Sequence, residues 1–166
     1  PGATVNRLCG SGLEAINQAS RAIETEHGDL FIAGGVESMT RGPWVMPKSA
    51  TAFARGHVTV YDSILGWRFP NPRMGELYSL IELGETAENV AEKYQINREE
   101  QDRFSLASHQ KALRATDAGI LRHEIVAIDN KQLKGAAEDY DRDEGPRADT
   151  SLEKLAALKP VFKKDG

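Results

Sequence analysis

The residues best suited to do chemistry sit in one phrase, VNRLCGSGL (residues 5–13), which holds the only cysteine of the 166-residue chain. A lone thiol set before two glycines and a serine points to nucleophilic catalysis. At a turn from strand to helix, the Cys9 sulfur would lie near the positive end of a helix dipole and near free backbone N–H groups. Both favour thiolate over thiol and raise nucleophilicity. Gly10 and Gly12 keep side chains away from the sulfur and let a substrate approach. The arrangement is that of a nucleophile elbow with cysteine in place of serine. The plainer reading is a small buried hydrophobe, the usual fate of a lone cysteine. Both readings stay open on these residues alone.

Other residues offer less. Residues 10–15 fit G-x-G-x-x-A, and Glu37 follows the next apolar run, which is the outline of a dinucleotide site. Against it, the residues before Gly10 are not a strongly apolar strand, and Gly34 and Gly35 before Glu37 speak for tight packing. His27, His57, His109 and His123 are scattered without metal-ligand spacing, and His27 and His109 fit solvated helix faces, so no metal is expected. Trp44, Trp67 and Phe69 read as local core, because no basic stripe accompanies them. Arg142, Arg147, Lys154 and Lys159 read as ordinary surface charge that an anionic ligand could use.

The elements that must position Cys9 follow from periodicity. Residues 3–8 alternate loosely and predict a short strand leading to Cys9. Ser11 is placed to cap a helix whose apolar face is Leu13, Ile16, Ala19 and Ile23, with Gly28 as its stop. The apolar run at 30–36 predicts a covered strand, completing a right-handed βαβ unit with parallel strands. From 40 to 83, prolines at 43, 47, 70 and 72 break any long element, leaving room for short helices and none for a compact sheet. Ala87, Val90, Ala91 and Tyr94 share one helical face. Asn97 with Glu100 predicts a capping box opening a helix to about Ala118, ended by Gly119. A strand is expected at 124–128, an exposed loop or ribbon at 129–149, and a last short helix capped by Thr150 or Ser151 and stopped before Pro160.

Bulk properties bound the rest. With 40% hydrophobic residues, a chain of this length can bury a core. A net charge of −4 and a pI near 5.6 argue against broad nucleic-acid or membrane-surface binding. No apolar run is long enough to span a bilayer. One cysteine excludes an internal disulfide and a thiolate cluster for zinc, and fits a reducing, cytoplasmic setting. Pro1 stands where an initiator methionine would, and the chain stops at KPVFKKDG after a strand-like stretch, so it reads as a piece of a longer protein.

Taken in order, the phrases NRLCGSGLEAI, AGGVESMTRGPWVM and GETAENVAEKYQINREEQDRFSLASHQKA closely resemble the thiolases, and DSILGWRFPNP resembles the 3-oxoadipyl-CoA and fatty-acid degradation branches. The resemblance implies an α/β thiolase-like fold fragment: a partial βαβ core over residues 1–39, then a mostly helical loop domain over 40–166 that covers coenzyme A. It implies that Cys9, at the tip of a buried helix, carries the acyl group between a 3-oxoacyl-CoA and coenzyme A, in either direction. It further implies a coenzyme A contact at Arg147 and an acyl-pocket position at Leu83, where Glu82-Leu83-Gly84 stands in place of the His-Met-Gly of some members. That departure puts short acetoacetyl specificity in doubt. No metal or redox cofactor is implied, and coenzyme A is a substrate. The family's activating histidine and second cysteine fall outside these residues, so the chain alone is expected to be inactive. A homodimer or homotetramer is implied for the full-length protein. The alternatives are a ketoacyl-synthase-type condensing enzyme, a dinucleotide-binding oxidoreductase and a non-catalytic remnant that binds coenzyme A.

Overall fold

A computed structural model describes residues 2–133 and 138–166, and the chain separates into two compact units, 1–77 and 78–166.

In the first unit, helix α1 (Ser11–Glu24) forms on the expected apolar spacing. Its end comes before the expected stop at Gly28. Thr25 Oγ1 donates to the Arg21 carbonyl at 2.7 Å, and Glu26 turns left-handed with φ 59°. The segments flanking α1 depart from expectation. Residues 3–8 and 30–36 form no ladder of strands, and the expected parallel pairing is absent among the described residues. Burial explains why. A strand of the 30–36 type is stable when covered on both faces, yet Ile32 is 99% and Val36 97% exposed. Nor is α1 a buried helix, since it has no buried residue.

The proline-rich stretch folds locally. Strands β1 (Trp44–Val45) and β2 (Tyr61–Asp62) pair antiparallel, Trp44 opposite Asp62 and Val45 opposite Tyr61. Ser63 N–H donates to the Pro43 carbonyl at 3.2 Å and continues the pairing. Tyr61 meets Phe69 edge to face, with ring centroids 5.1 Å apart. Helix α2 (Pro72–Leu77) opens where Asn71 Oδ1 accepts from Arg73 N–H at 3.0 Å and Pro72 takes the first helical position, which needs no N–H donor.

In the second unit, helix α3 (Leu83–Tyr94) begins with a reciprocal capping box between Glu82 and Glu85 and ends at Gln95 in the left-handed region (φ 55°). Sequence signals missed that start, because glutamate is not a usual cap. Helix α4 (Arg98–Asp117) has the expected box: Asn97 Oδ1 accepts from Glu100 N–H and Glu100 Oε2 from Asn97 N–H, both at 3.0 Å. Gly119, φ 71°, closes it. The strand expected at 124–128 reduces to one antiparallel bridge, Ile128 to Tyr140, with two 2.9 Å bonds. One bridge lacks the neighbours that make a ladder cooperative. Part of the loop expected at 129–149, residues 134–137, lies outside the described residues. Helix α5 (Leu152–Ala156) is capped by Ser151, whose Oγ accepts from Lys154 N–H at 3.2 Å.

Polar contacts and small residues hold this unit together. The Arg98 guanidinium, bonded to Asp102 Oδ1 at 2.8 Å, also donates to the carbonyls of Leu155, in α5, and Leu158, just beyond it. The Phe162 ring lies against Gly84 of α3, and Lys163 Nζ pairs with Glu92 at 2.5 Å. Asp102 is the one buried residue among those described; no apolar side chain reaches that state, so the expected core is not formed within these residues.

Candidate functional site

Cys9 stands exposed at the crest of a tight turn into α1. Leu8, just before it, has φ 52°. For a residue with a Cβ this left-handed conformation costs about 1–2 kcal/mol, so neighbouring bonds must hold it. Asn6 Oδ1 accepts from Leu8 N–H at 2.9 Å. Ser11 Oγ accepts from Arg7 N–H at 2.9 Å and donates to the Leu8 carbonyl at 2.7 Å. Gly10 N–H to the Arg7 carbonyl and Ser11 N–H to the Leu8 carbonyl close the turn, both at 3.0 Å.

Ser11 is therefore not the helix cap that its sequence position predicted. Gly10 takes that place, and Ser11, already helical, reaches back to the turn. The reason is competition: a hydroxyl engaged with Arg7 and Leu8 is not free to meet the amides of the first turn. Helix α1 thus begins without a side-chain cap; Ser11 N–H meets the Leu8 carbonyl and Glu14 N–H the Gly10 carbonyl, which leaves the amides of Gly12 and Leu13 for an incoming oxygen atom. A Cβ on Gly12 would meet nothing within 4 Å, so open space adjoins the turn.

One turn further on, Glu14 gathers charge beneath the same loop. It accepts from Arg7 at 3.0 Å and from Gln18 at 3.2 Å, and lies 3.6 Å from the Arg21 guanidinium. The Gln18 hydrogen bond, followed by that of Arg7 and the two guanidinium charges, holds the Glu14 carboxyl below its ordinary value.

Leu83 and Arg147 belong to the second unit. Leu83 is the first residue of α3 and is exposed. Arg147 donates its backbone N–H to Nδ1 of His109 on α4 at 3.0 Å, and its carbonyl accepts from Thr150 N–H at 3.4 Å. Around it, Arg142 pairs with Asp117 at 2.8 Å and Lys154 with Asp149 at 2.7 Å. The Lys154 bond, with Lys154 and Arg147 charge behind it, keeps the Asp149 carboxyl below its ordinary value. Among the described residues no such ion pair engages the Arg147 guanidinium.

His109, read from sequence as a solvated helix face, was missed. The signal available was spacing: His109 lies seven residues after Asp102, so both fall on one face of α4, the face that receives the returning chain.

Among the described residues, no group of histidine, cysteine, aspartate and glutamate could hold a metal ion, and no helix is long and apolar enough to cross a membrane. Among the described residues no strand leads into Gly10 and none ends at Glu37.

The first unit thus presents an exposed cysteine at the head of α1, and the second is mostly helical. The family model of the thiolase N-terminal domain matches residues 1–166, and the chain belongs to the thiolase family. It is 49% identical over 165 residues to the 3-oxoadipyl-CoA/3-oxo-5,6-dehydrosuberyl-CoA thiolase of Escherichia coli K12, covering 99% of this chain and 41% of that protein. The Bacillus anthracis acetyl-CoA acetyltransferase superposes with a TM-score of 0.78 at 37% identity, over 98% of this chain and 39% of the other. Human mitochondrial 3-ketoacyl-CoA thiolase, solved in complex with CoA, gives 0.77 at 34% identity, over 98% and 38%. The chain thus spans about two fifths of the length of these relatives.

Proposed function

We propose that the chain supplies the nucleophile and the coenzyme A cover of a thiolase that cleaves a 3-oxoacyl-CoA with coenzyme A. The observation that carries the reading is the exposed Cys9, held by a stapled turn at the uncapped head of α1. In the reaction, the Cys9 thiolate adds to the 3-keto carbon and the bond between carbons 2 and 3 breaks. Its electron pair leaves with acetyl-CoA, whose carbanion takes a proton. The acyl group stays on sulfur as a thioester until coenzyme A thiolate attacks it and expels Cys9. Run backwards, the same steps condense two acyl-CoA molecules. The backbone N–H of Cys9 would favour the oxyanion formed at each addition.

Likeness to the 3-oxoadipyl-CoA thiolase supports a 3-oxo acid of the degradative, dicarboxylic kind as the acyl group. Residues 40–166 would lie over coenzyme A, with Arg147 at its nucleotide end and Leu83 beside the acyl chain. No metal or redox group is needed, and the protein would work in the cytoplasm as a homodimer or homotetramer. Proton transfer would come from groups outside residues 1–166, so this chain alone is expected to show no turnover. Losing a positioned acid or base costs roughly 10²–10⁴-fold.

The test is thiolysis of a 3-oxoacyl-CoA by the complete protein, followed through loss of its enolate absorbance. Cys9→Ala should abolish turnover, and iodoacetamide should alkylate Cys9 far faster than a free thiol at pH 7. Slow labelling with turnover surviving Cys9→Ala would return Cys9 to an ordinary structural thiol.

A further inference from the structure

We propose that His109 is a positioning residue for coenzyme A, acting through the backbone of Arg147. The inference rests on the reading of Arg147 as the contact to the nucleotide end. It adds a residue whose type and position had read as a solvated helix face. Arg147 follows Gly145 and Pro146 and precedes the Ser151 cap of α5 by four residues, so it lies on a connecting segment and not on a helix. A guanidinium on such a segment is only as well placed as the backbone beneath it.

That backbone is pinned from both sides. His109 Nδ1 on α4 accepts the Arg147 N–H at 3.0 Å. Beyond Arg147, α5 is tied to the same helix by the Arg98 guanidinium, which donates to the carbonyls of Leu155 and Leu158. His109 and Arg98 are thus two rivets from α4 on the returning chain, and Arg147 sits at the first. The neighbouring cations differ from it in pairing: Arg142 and Lys154 form ion pairs with Asp117 and Asp149, while Arg147 acts on Asp149 through its charge alone. Arg147 is held by its main chain, which leaves its fork of donors for a phosphate or a purine face.

The acceptor role also fixes the tautomer. Nδ1 receives the Arg147 N–H, so the ring proton is on Nε2. Removing the imidazole leaves that N–H without its partner and lets the segment move. Binding energy would fall for any thiol that reaches Arg147 and stay the same for one that does not.

The experiment compares coenzyme A with pantetheine, its thiol arm without the nucleotide, as acyl acceptors for the complete protein at saturating 3-oxoacyl-CoA. In His109→Ala, KM for coenzyme A should rise about three- to tenfold, the worth of one hydrogen bond. Values of kcat, and of KM for pantetheine, should stay at wild type. His109→Asn, whose Oδ1 can stand where Nδ1 does, should restore most of the coenzyme A affinity. Arg147→Ala should reproduce the coenzyme A defect with the same pantetheine indifference. Equal losses for both thiols, or no loss in His109→Ala while Arg147→Ala is defective, would overturn the role of His109 and leave the thiolase reading standing. An Arg147→Ala protein with wild-type KM for both thiols would overturn it at its base. Absence of Cys9-dependent thiolysis in the wild type would instead be a failure of the reading beneath it.

Discussion

Asp102 accepts a hydrogen bond from Arg98 Nε at 2.8 Å, one helical turn away, and so holds the guanidinium aimed at the end of α5. The pair is more than an exposed i, i+4 bridge, because Asp102 is the most buried residue described and Arg98 has three acceptors. Asp102→Ala should therefore destabilise the protein by about 1.5–3 kcal/mol, the range for hydrogen bonds to charged groups. Arg103 and Glu99 form an exposed pair on the same helix, whose loss should cost under about 1 kcal/mol. Urea unfolding midpoints of Asp102→Ala and Glu99→Ala check the contrast; equal shifts would count against it.

Ser11 gives the second prediction. Its hydroxyl makes two bonds that hold Leu8 in the left-handed region. Ser11→Ala should cost about 1–2 kcal/mol, and Ser11→Thr, which keeps the hydroxyl, should recover most of it. Thermal denaturation of the complete protein reads both. A neutral alanine would mean that the turn holds without Ser11.

Glu14 sets a dependence on acid. Its folded carboxyl is held below its ordinary value, chiefly by Gln18 and Arg7, so the folded state favours the charged form more than the unfolded chain does. The contribution is present above the ordinary carboxylate value and is lost as pH falls through the lower folded one. Stability of wild type should therefore decline over that acid window more steeply than that of Glu14→Gln. Parallel curves from pH 6 downward to about 3 would remove Glu14 from the account.

Ligand protection separates the two readings of the glycines. Coenzyme A or acetyl-CoA should raise the melting temperature of the complete protein, because a ligand stabilises the state it binds, and NAD should not. At a hundred times its dissociation constant the gain would be about 2.7 kcal/mol. Protection by NAD alone would revive the dinucleotide outline of Gly10, Gly12 and Glu37.

What could be read in advance divides along physical lines. Helix starts with a usual capping side chain, at Asn97 and Ser151, were legible because the cap and its amide lie within three residues. The strands predicted at 3–8, 30–36 and 124–128 were not, because a strand exists only through a partner distant in sequence. Cys9 stood out by its glycines, but the staple of the turn required knowing that Ser11 faces backward. His109 was hidden for the same reason as the strands: its partner is 38 residues downstream.

Gly84 and Phe162 bear on any test of the acyl-pocket position proposed at Leu83. The Phe162 ring occupies the place where a Cβ on residue 84 would stand, so every larger residue there must push the ring away from α3. Leu83, next to it, is exposed and free of that constraint. A mutational library for chain-length preference can thus vary position 83 widely while holding 84 as glycine. Randomising the two together would fill it with variants that displace the Phe162 ring, mixing that change with any effect at position 83.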